Sequence, residues 1–297
     1  MIVGNELKKC VGWGIFFSFV CVSCLNDNTI SAKVQFKTDT LSISAYLLQK
    51  NIKAQKLPAG VWYVLDSVGL GVLPMLTDSI NISYTAQSIP SEMTMDQNAG
   101  TTVLLSTIIA GLQYSLPIFP AGSKGRVYIP SGLAFGTNAH NQIPPNSNLA
   151  YAVTMNFVKS NRLPTDLAAI AAYLTRIGDS LKAANKIIQT QTGTNLPYYV
   201  DTLGTGISPL LKDSILVTYK GRILNADTLL VKVTTPVKLS LKSQMNGWRN
   251  IIPLLKEGSY ATLLIPSGYG YGSNVLPGIP ANSNLMYQIK LVKVIHH

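Results

Sequence analysis

The chain is written twice. GVWYVLDSVGLG, from Gly60 to Gly71, lines up with NLPYYVDTLGTG, from Asn195 to Gly206. Tyr63, Asp66, Gly69 and Gly71 recur 135 positions later as Tyr198, Asp201, Gly204 and Gly206. DSINISYTA (from Asp78) meets DSILVTYKG (from Asp213) at the same offset. Further on, LQYSLPIFPAGSKGRVYIPSGLAFG meets WRNIIPLLKEGSYATLLIPSGYGYG, and IPPNSNLAYAVTMNFV meets IPANSNLMYQIKLVKV, both at an offset of 136. Solenoid units repeat every roughly 20–50 residues, so a period this long means a duplicated domain. The 297 residues leave room for two such copies and short connections.

Composition narrows what the copies do. Charged residues are only 12% and hydrophobic residues 47%, against roughly 25% charged in ordinary globular chains. A disordered charged tail is excluded. So is a polytopic membrane protein, which needs repeated apolar runs of about 20 residues. The only cysteines are Cys10, Cys21 and Cys24, so the body holds no disulfide framework, zinc cluster or thiol nucleophile. The net charge is +11, but the lysines are scattered and the longest basic run is Lys8-Lys9. A solvated basic surface is expected, and no nucleic-acid partner. Three histidines without ligand spacing predict no metal site.

Residues 1–24 read as an address. Lys8 and Lys9 precede an apolar core from Val11 to Val22, which ends in Ser23-Cys24. The core is too short for a comfortable membrane span. Its end resembles a bacterial lipoprotein signal, with Cys24 as the lipidated residue and Cys21 standing where such signals carry Leu. The expectation is an exported protein on the periplasmic side, held to a membrane by a lipid anchor. Residues 25–37 are expected to be a polar tether.

The body reads as strands punctuated by Gly and Pro. Tyr63–Leu65, Ile80–Tyr84, Arg126–Ile129 and Tyr151–Met155 are short, β-rich and partly alternating. One short helix fits between Gly111 and Phe119 and its copy between Gly247 and Leu255, each curtailed by Pro117 or Pro253. A helical stretch precedes each copy, Asp39–Lys53 and Asp166–Ile188. In the second, Leu167, Ile170, Leu174, Ile177, Leu181, Ala184 and Ile188 keep 3-4 spacing. The expected domains are 38–160 and 195–297, joined by a linker helix over 161–194.

The most informative phrase is IPSGLAFGTNAHNQIPPNSNL with its copy IPSGYGYGSNVLPGIPANSNL. It is a strand end, a Gly-rich loop, a Pro-containing turn and a re-entering strand. No GxxxxGK[ST] makes it a phosphate cradle. With the tyrosines of SYTA and TYKG, it resembles the FKBP-type peptidyl-prolyl isomerases. The resemblance implies an α+β fold: two FKBP-like domains, each a curved antiparallel sheet around one short helix, enclosing an apolar pocket for proline. It implies no cofactor. The partners it implies are proline-containing unfolded or folding polypeptides.

The family's pocket positions map onto the second copy at Tyr219, Trp248, Tyr271, Ile279 and Tyr287, with Met245 just before the helix. Tyr271 matches the loop tyrosine whose hydroxyl binds a substrate carbonyl. The family's Phe-Asp pair falls on Leu229-Leu230, which removes a carboxylate. In the first copy the corresponding residues are Tyr84, Met95-Asp96, Ile109, Leu112, Phe135, Ile143 and Tyr151, with His140 able to complete the wall. Phe135 lacks the loop hydroxyl. Each copy has lost a different polar group. The reading that follows is an isomerase of X-Pro bonds that assists folding of exported proteins. The alternative is a non-catalytic chaperone or peptide-binding module.

Overall fold

A computed structural model describes residues 27–226 and 229–297. The first unit runs α1 (Asp27–Gln49), β1 (Gln55–Lys56), β2 (Trp62–Ser67), β3 (Ser79–Ile89), β4 (Thr94–Leu104), α2 (Ala110–Ser115), β5 (Lys124–Ile129) and β6 (Asn148–Lys159). The second runs α3 (Leu163–Arg176), α4 (Gly178–Ala183), β7 (Ile188–Thr190), β8 (Pro197–Thr202), β9 (Ser214–Ile223), β10 (Leu229–Ser240), α5 (Asn246–Ile251), β11 (Tyr260–Ile265) and β12 (Leu285–Ile295). The fold is α+β. Each unit holds a six-stranded antiparallel sheet, ordered β1-β2-β5-β6-β3-β4 in the first and β7-β8-β11-β12-β9-β10 in the second. The two orders match strand for strand.

Alternation builds the inner face. Along β3, Ile80, Ile82 and Ala86 are buried while Asn81, Ser83 and Thr85 keep partial exposure, the period-2 pattern of a strand with one face on a core. Leu105, Leu116, Phe119, Val127, Ile129 and Leu149 close the first core, and Ile215, Val217, Leu241, Leu263, Ile265 and Leu285 the second. The short helices sit against these cores. Pro117 and Pro253 end α2 and α5 in 3-10 turns, Leu116–Ile118 and Ile252–Leu254. Gly111 and Gly247 let each helix lie on its sheet: a Cβ there would come within 2.3 Å of Ile129 Cγ2 or 2.6 Å of Ile265 Cγ2.

The leading helices cover the opposite faces. Ile43 and Leu47 of α1 pack with Trp62, Ile89 and Tyr128. Ile170 of α3 packs with Leu224, Leu264 and Met286. Two boundaries differ from expectation. The helix of the first unit begins at Asp27, inside the expected tether, where Gln35 Nε2 donates to Asp39 Oδ1 at 2.8 Å and Thr40 Oγ1 to the Phe36 carbonyl at 2.7 Å. The expected single helix over Asp166–Ile188 breaks at Ile177, before the weak helix former Gly178, and Ile188–Thr190 becomes edge strand β7. The expected signal segment and Cys24 lie outside the described residues. Among those residues no helix is long and apolar enough to cross a membrane.

Each leading helix also plants a buried carboxylate. Asp39 Oδ2 accepts from the Ser131 N–H at 3.0 Å and the Ser131 hydroxyl at 2.6 Å. Asp166 Oδ2 accepts from the Ser267 N–H at 3.0 Å and the Ser267 hydroxyl at 2.5 Å. Asn148 and Asn284 side-chain oxygens share the same N–H groups, at 3.0 and 3.1 Å. The serines open the Pro-Ser-Gly turn that carries the Gly-rich loop. Helix, central strand and loop are thus tied at one point in each unit. Asp166→Ala leaves a buried hydroxyl without its acceptor, and is expected to lower the unfolding free energy by about 2 kcal/mol. A urea titration of the full chain against the wild type measures it.

Candidate active site

The second unit's cavity is built on α5, the outer strands and the loop after β11. It has a volume of about 210 Å³ and is lined by Tyr219, Leu230, Val231, Gln244, Met245, Trp248, Tyr271, Pro277, Ile279 and Tyr287. Trp248, 2% exposed, is the floor. Its ring stands edge-on to Tyr219, with centroids 5.1 Å apart at 85°, and to Tyr287, 5.2 Å apart at 84°. Such edge-to-face contacts favour the ring quadrupoles and fix orientation. Gly221 permits this packing, since a Cβ there would lie 2.4 Å from Tyr287 Cε1. Burial, followed by the nearby Tyr271, pushes the Tyr287 phenol well above its ordinary pKa. The buried Trp248 Nε1 has no hydrogen-bond partner.

The first unit's cavity occupies the same place in its own sheet. It measures about 300 Å³, and its walls include Tyr84, Asp96, Ile109, Leu112, Phe135, His140 and Tyr151. Leu112 stands where the second unit has Trp248, which leaves the floor lower. Tyr84 and Tyr151 are 5.6 Å apart and tilted by 50°. The Tyr84 hydroxyl donates to Asp96 Oδ2 at 2.8 Å. Burial, then the bond to Asp96 and its charge, pushes the Tyr84 pKa up to about 12. Phe135 lies flat on the His140 imidazole, 4.2 Å away and 7° from parallel.

Twelve of the expected positions therefore converge as two groups of six. Tyr219, Met245, Trp248, Tyr271, Ile279 and Tyr287 share one cavity with Leu230. Tyr84, Asp96, Ile109, Leu112, Phe135 and Tyr151 share the other. Two expected residues fall outside. Leu229 is 52% exposed. The register explains it: Asp96 pairs with Ala86, and Val231 pairs with Gly221 at the copied position. Val231, rather than either leucine, stands where the first unit has its carboxylate, 135 positions after Asp96, and both copies carry the same ladder shift beside it. Ile143, 2% exposed, belongs to the first core; the turn that pairs it with His140 brings the imidazole to the wall instead. Gln244, Pro277 and Val231 were not anticipated. Period-2 counting along β10 from Tyr219's partner would have found Val231.

No group of three or more His, Cys, Asp or Glu side chains suited to a metal occurs among the described residues. The second cavity's lining offers rings, aliphatic side chains and phenol hydroxyls beside one amide, Gln244. Such a site can desolvate an uncharged group and hold it by one or two hydrogen bonds.

The sequence profile described as FKBP-type peptidyl-prolyl cis-trans isomerase matches residues 73–156 and 207–292. A curated relative, the FKBP-type peptidyl-prolyl cis-trans isomerase FkpA of Buchnera aphidicola from Schizaphis graminum, is 33% identical over 150 residues, 50% of this chain and 56% of its own. The peptidyl-prolyl cis-trans isomerase Mip of Coxiella burnetii is 32% identical over 102 residues, 33% of this chain and 44% of its own. The chain thus spans about half the length of these relatives. The crystal structure of FkpA from Escherichia coli aligns at 26% identity over 44% of this chain and 63% of that one, with a TM-score of 0.35.

The raised Tyr84 pKa has a consequence for stability. The phenol keeps its proton longer in the folded chain, so its contribution is complete below the ordinary value near 10 and is lost as pH rises towards about 12. A spectrophotometric phenol titration, compared with Tyr84→Phe, isolates it. Asp96→Asn is expected to bring the Tyr84 midpoint down while burial keeps it above 10.

Proposed function

The chain belongs to the FKBP-type peptidyl-prolyl cis-trans isomerase family, and we propose that its second unit isomerises X-Pro bonds of extended polypeptides. The observation that supports this most is the Trp248 floor, set edge-on between Tyr219 and Tyr287 beneath an open aliphatic rim. The chemistry asks for little else. The barrier to amide rotation, about 18–20 kcal/mol for an ordinary peptide bond, comes from resonance that makes the planar amide polar. Water stabilises that polarity. A proline ring seated on Trp248 carries its amide out of water, which favours the twisted and less polar form. Tyr271 at the rim offers a hydroxyl to a substrate carbonyl. A rate gain of 10⁴ needs only about 5.5 kcal/mol of preferential binding of the twisted form.

The first unit supports a different reading. Leu112 gives it a lower floor, Phe135 has no hydroxyl, and the Tyr84 hydroxyl is already engaged by Asp96. This unit holds a chain without turning it over. Its cleft lies within 38–160 and the catalytic cleft within 195–297, and each unit also uses its leading helix, α1 or α3. The clients are exported polypeptides, since Lys8, Lys9 and the apolar run to Val22 form an export signal that ends at Cys24. Acylation of Cys24 anchors the protein to a membrane.

A proline-limited refolding assay tests the activity, because uncatalysed X-Pro isomerisation takes about 10–100 s. The wild-type chain is expected to accelerate the slow phase at micromolar concentration, and an unchanged slow phase refutes the proposal. Tyr271→Phe, which removes one hydrogen bond, is expected to cost roughly 2–10-fold. Trp248→Leu, which recreates the first unit's floor, is expected to cost more than Tyr271→Phe. Lipidation is read separately: protein made in a bacterial host should carry an acyl mass that Cys24→Ser lacks.

A further inference from the structure

The two short helices are not treated alike by the fold. In α2 the buried residues are Gly111, Leu112 and Ser115. In α5 every residue from Asn246 to Ile251 is buried. The extra cover comes from the first unit. Its segment Val68–Leu73, between β2 and β3, lies against the outer side of α5. Arg249 donates through Nη2 to the Val68 carbonyl at 3.1 Å and through Nη1 to the Gly69 carbonyl at 3.0 Å. Asn250 Nδ2 donates to the Leu70 carbonyl and Asn246 Nδ2 to the Gly71 carbonyl, each at 2.8 Å. The consecutive carbonyls of one segment are thus read by one face of one helix.

The segment is rigid on its own side. Gly69 N–H donates to Ser123 Oγ at 2.9 Å, Gly71 N–H to the Ala121 carbonyl at 3.1 Å, and Ala121 N–H to the Val72 carbonyl at 3.0 Å. A Cβ on Gly69 would fall 2.0 Å from the Ala121 carbonyl oxygen, so only glycine permits this approach. The contact then continues onto the second unit's Gly-rich loop. Leu73 N–H donates to the Gly268 carbonyl at 3.0 Å, and Val72, 6% exposed, joins the second unit's core. Gly268 makes room for it: a Cβ there would sit 2.7 Å from Val72 Cγ1.

These contacts reach two parts of the second cavity, its short helix and its Gly-rich loop. Asn246, Arg249 and Asn250 flank Trp248 on a helix of one and a half turns, far too short to be stable alone. Gly268 lies in the turn that leads to Tyr271. The first unit's α2 has no such side chains, since Ala110, Gln113 and Tyr114 occupy the copied positions. From this geometry we infer that the first unit is a clamp that holds the second unit's cavity in its working shape, with Arg249, Asn246 and Asn250 as positioning residues. Arg249 is held at a cost: its Nε is buried without a partner, and burial lowers its pKa.

The inference rests on the isomerase reading for its rate arm but not for its optical arm. In the full chain, Arg249→Ala and Gly268→Ala are each expected to lower kcat/KM in the refolding assay by roughly 10-fold, because sub-ångström misplacement of binding groups is costly. Arg249→Lys should recover part of the loss. Val72→Ala removes the methyl that Gly268→Ala would strike, so the double variant should return to the level of Val72→Ala alone. That rescue is a readout a purely local defect in the second unit would not show. In a chain with Trp13→Phe and Trp62→Phe, the remaining Trp248 reports its own surroundings. Its acrylamide quenching is expected to rise in Arg249→Ala and Gly268→Ala, and to fall back with Val72→Ala. An inactive wild type refutes the isomerase reading and leaves the quenching to decide the clamp. Unchanged quenching overturns the clamp, whatever the rates. An active wild type with unchanged variant rates overturns it as well.

Discussion

One buried contact organises each unit: the carboxylate of the leading helix, Asp39 or Asp166, closed around the serine of a Pro-Ser-Gly turn. A carboxylate 1–2% exposed is tolerable only when its oxygens are fully used. Here they are, since Ser131 and Ser267 give both N–H and O–H, while Gln35 and Arg162 serve the other oxygens at 2.8 Å. The bond fixes where the helix lies on the sheet and the angle at which the Gly-rich loop departs. Phe135 and Tyr271 ride on that loop. The position of a cavity wall is therefore decided on the far side of the sheet.

On this shared frame the copies have diverged by single side chains. Trp248 against Leu112 changes the depth of the cavity. Tyr271 against Phe135 moves a hydroxyl. Val231 against Asp96 decides whether the strand tyrosine has an acceptor. None of these changes touches the β-ladders, whose registers stay parallel between the copies. A sheet tolerates such exchange because its backbone bonds are indifferent to what the inward side chains carry. The duplicated architecture is kept while the linings of the two clefts differ.

Much of this was legible in the amino-acid sequence. The constant offset exposed the duplication, the tyrosines and the Gly-rich phrase located the clefts, and Pro117 and Pro253 shortened the helices as expected. What escaped depends on registers and distant contacts. Leu229 lies two residues from the position 135 after Asp96, outside the cavity wall that Val231 joins. Ile143 is packed into the first core, which the sequence did not separate from the wall. Asp39 and Asp166 read as helix residues; their partners lie 92 and 101 positions away. Nothing local in the sequence marks Asn246, Arg249 and Asn250 as covered by another unit.

Strand β10 borders the second cleft and has β9 as its sole sheet neighbour. Its ladder is interrupted between Val233 and Val237, and Pro236 lies within that gap. Proline brings no N–H, and the irregularity twists the edge away from a straight template. An added strand would therefore meet a broken template along this border. The border of the cleft is thereby also its guard against pairing with another sheet edge.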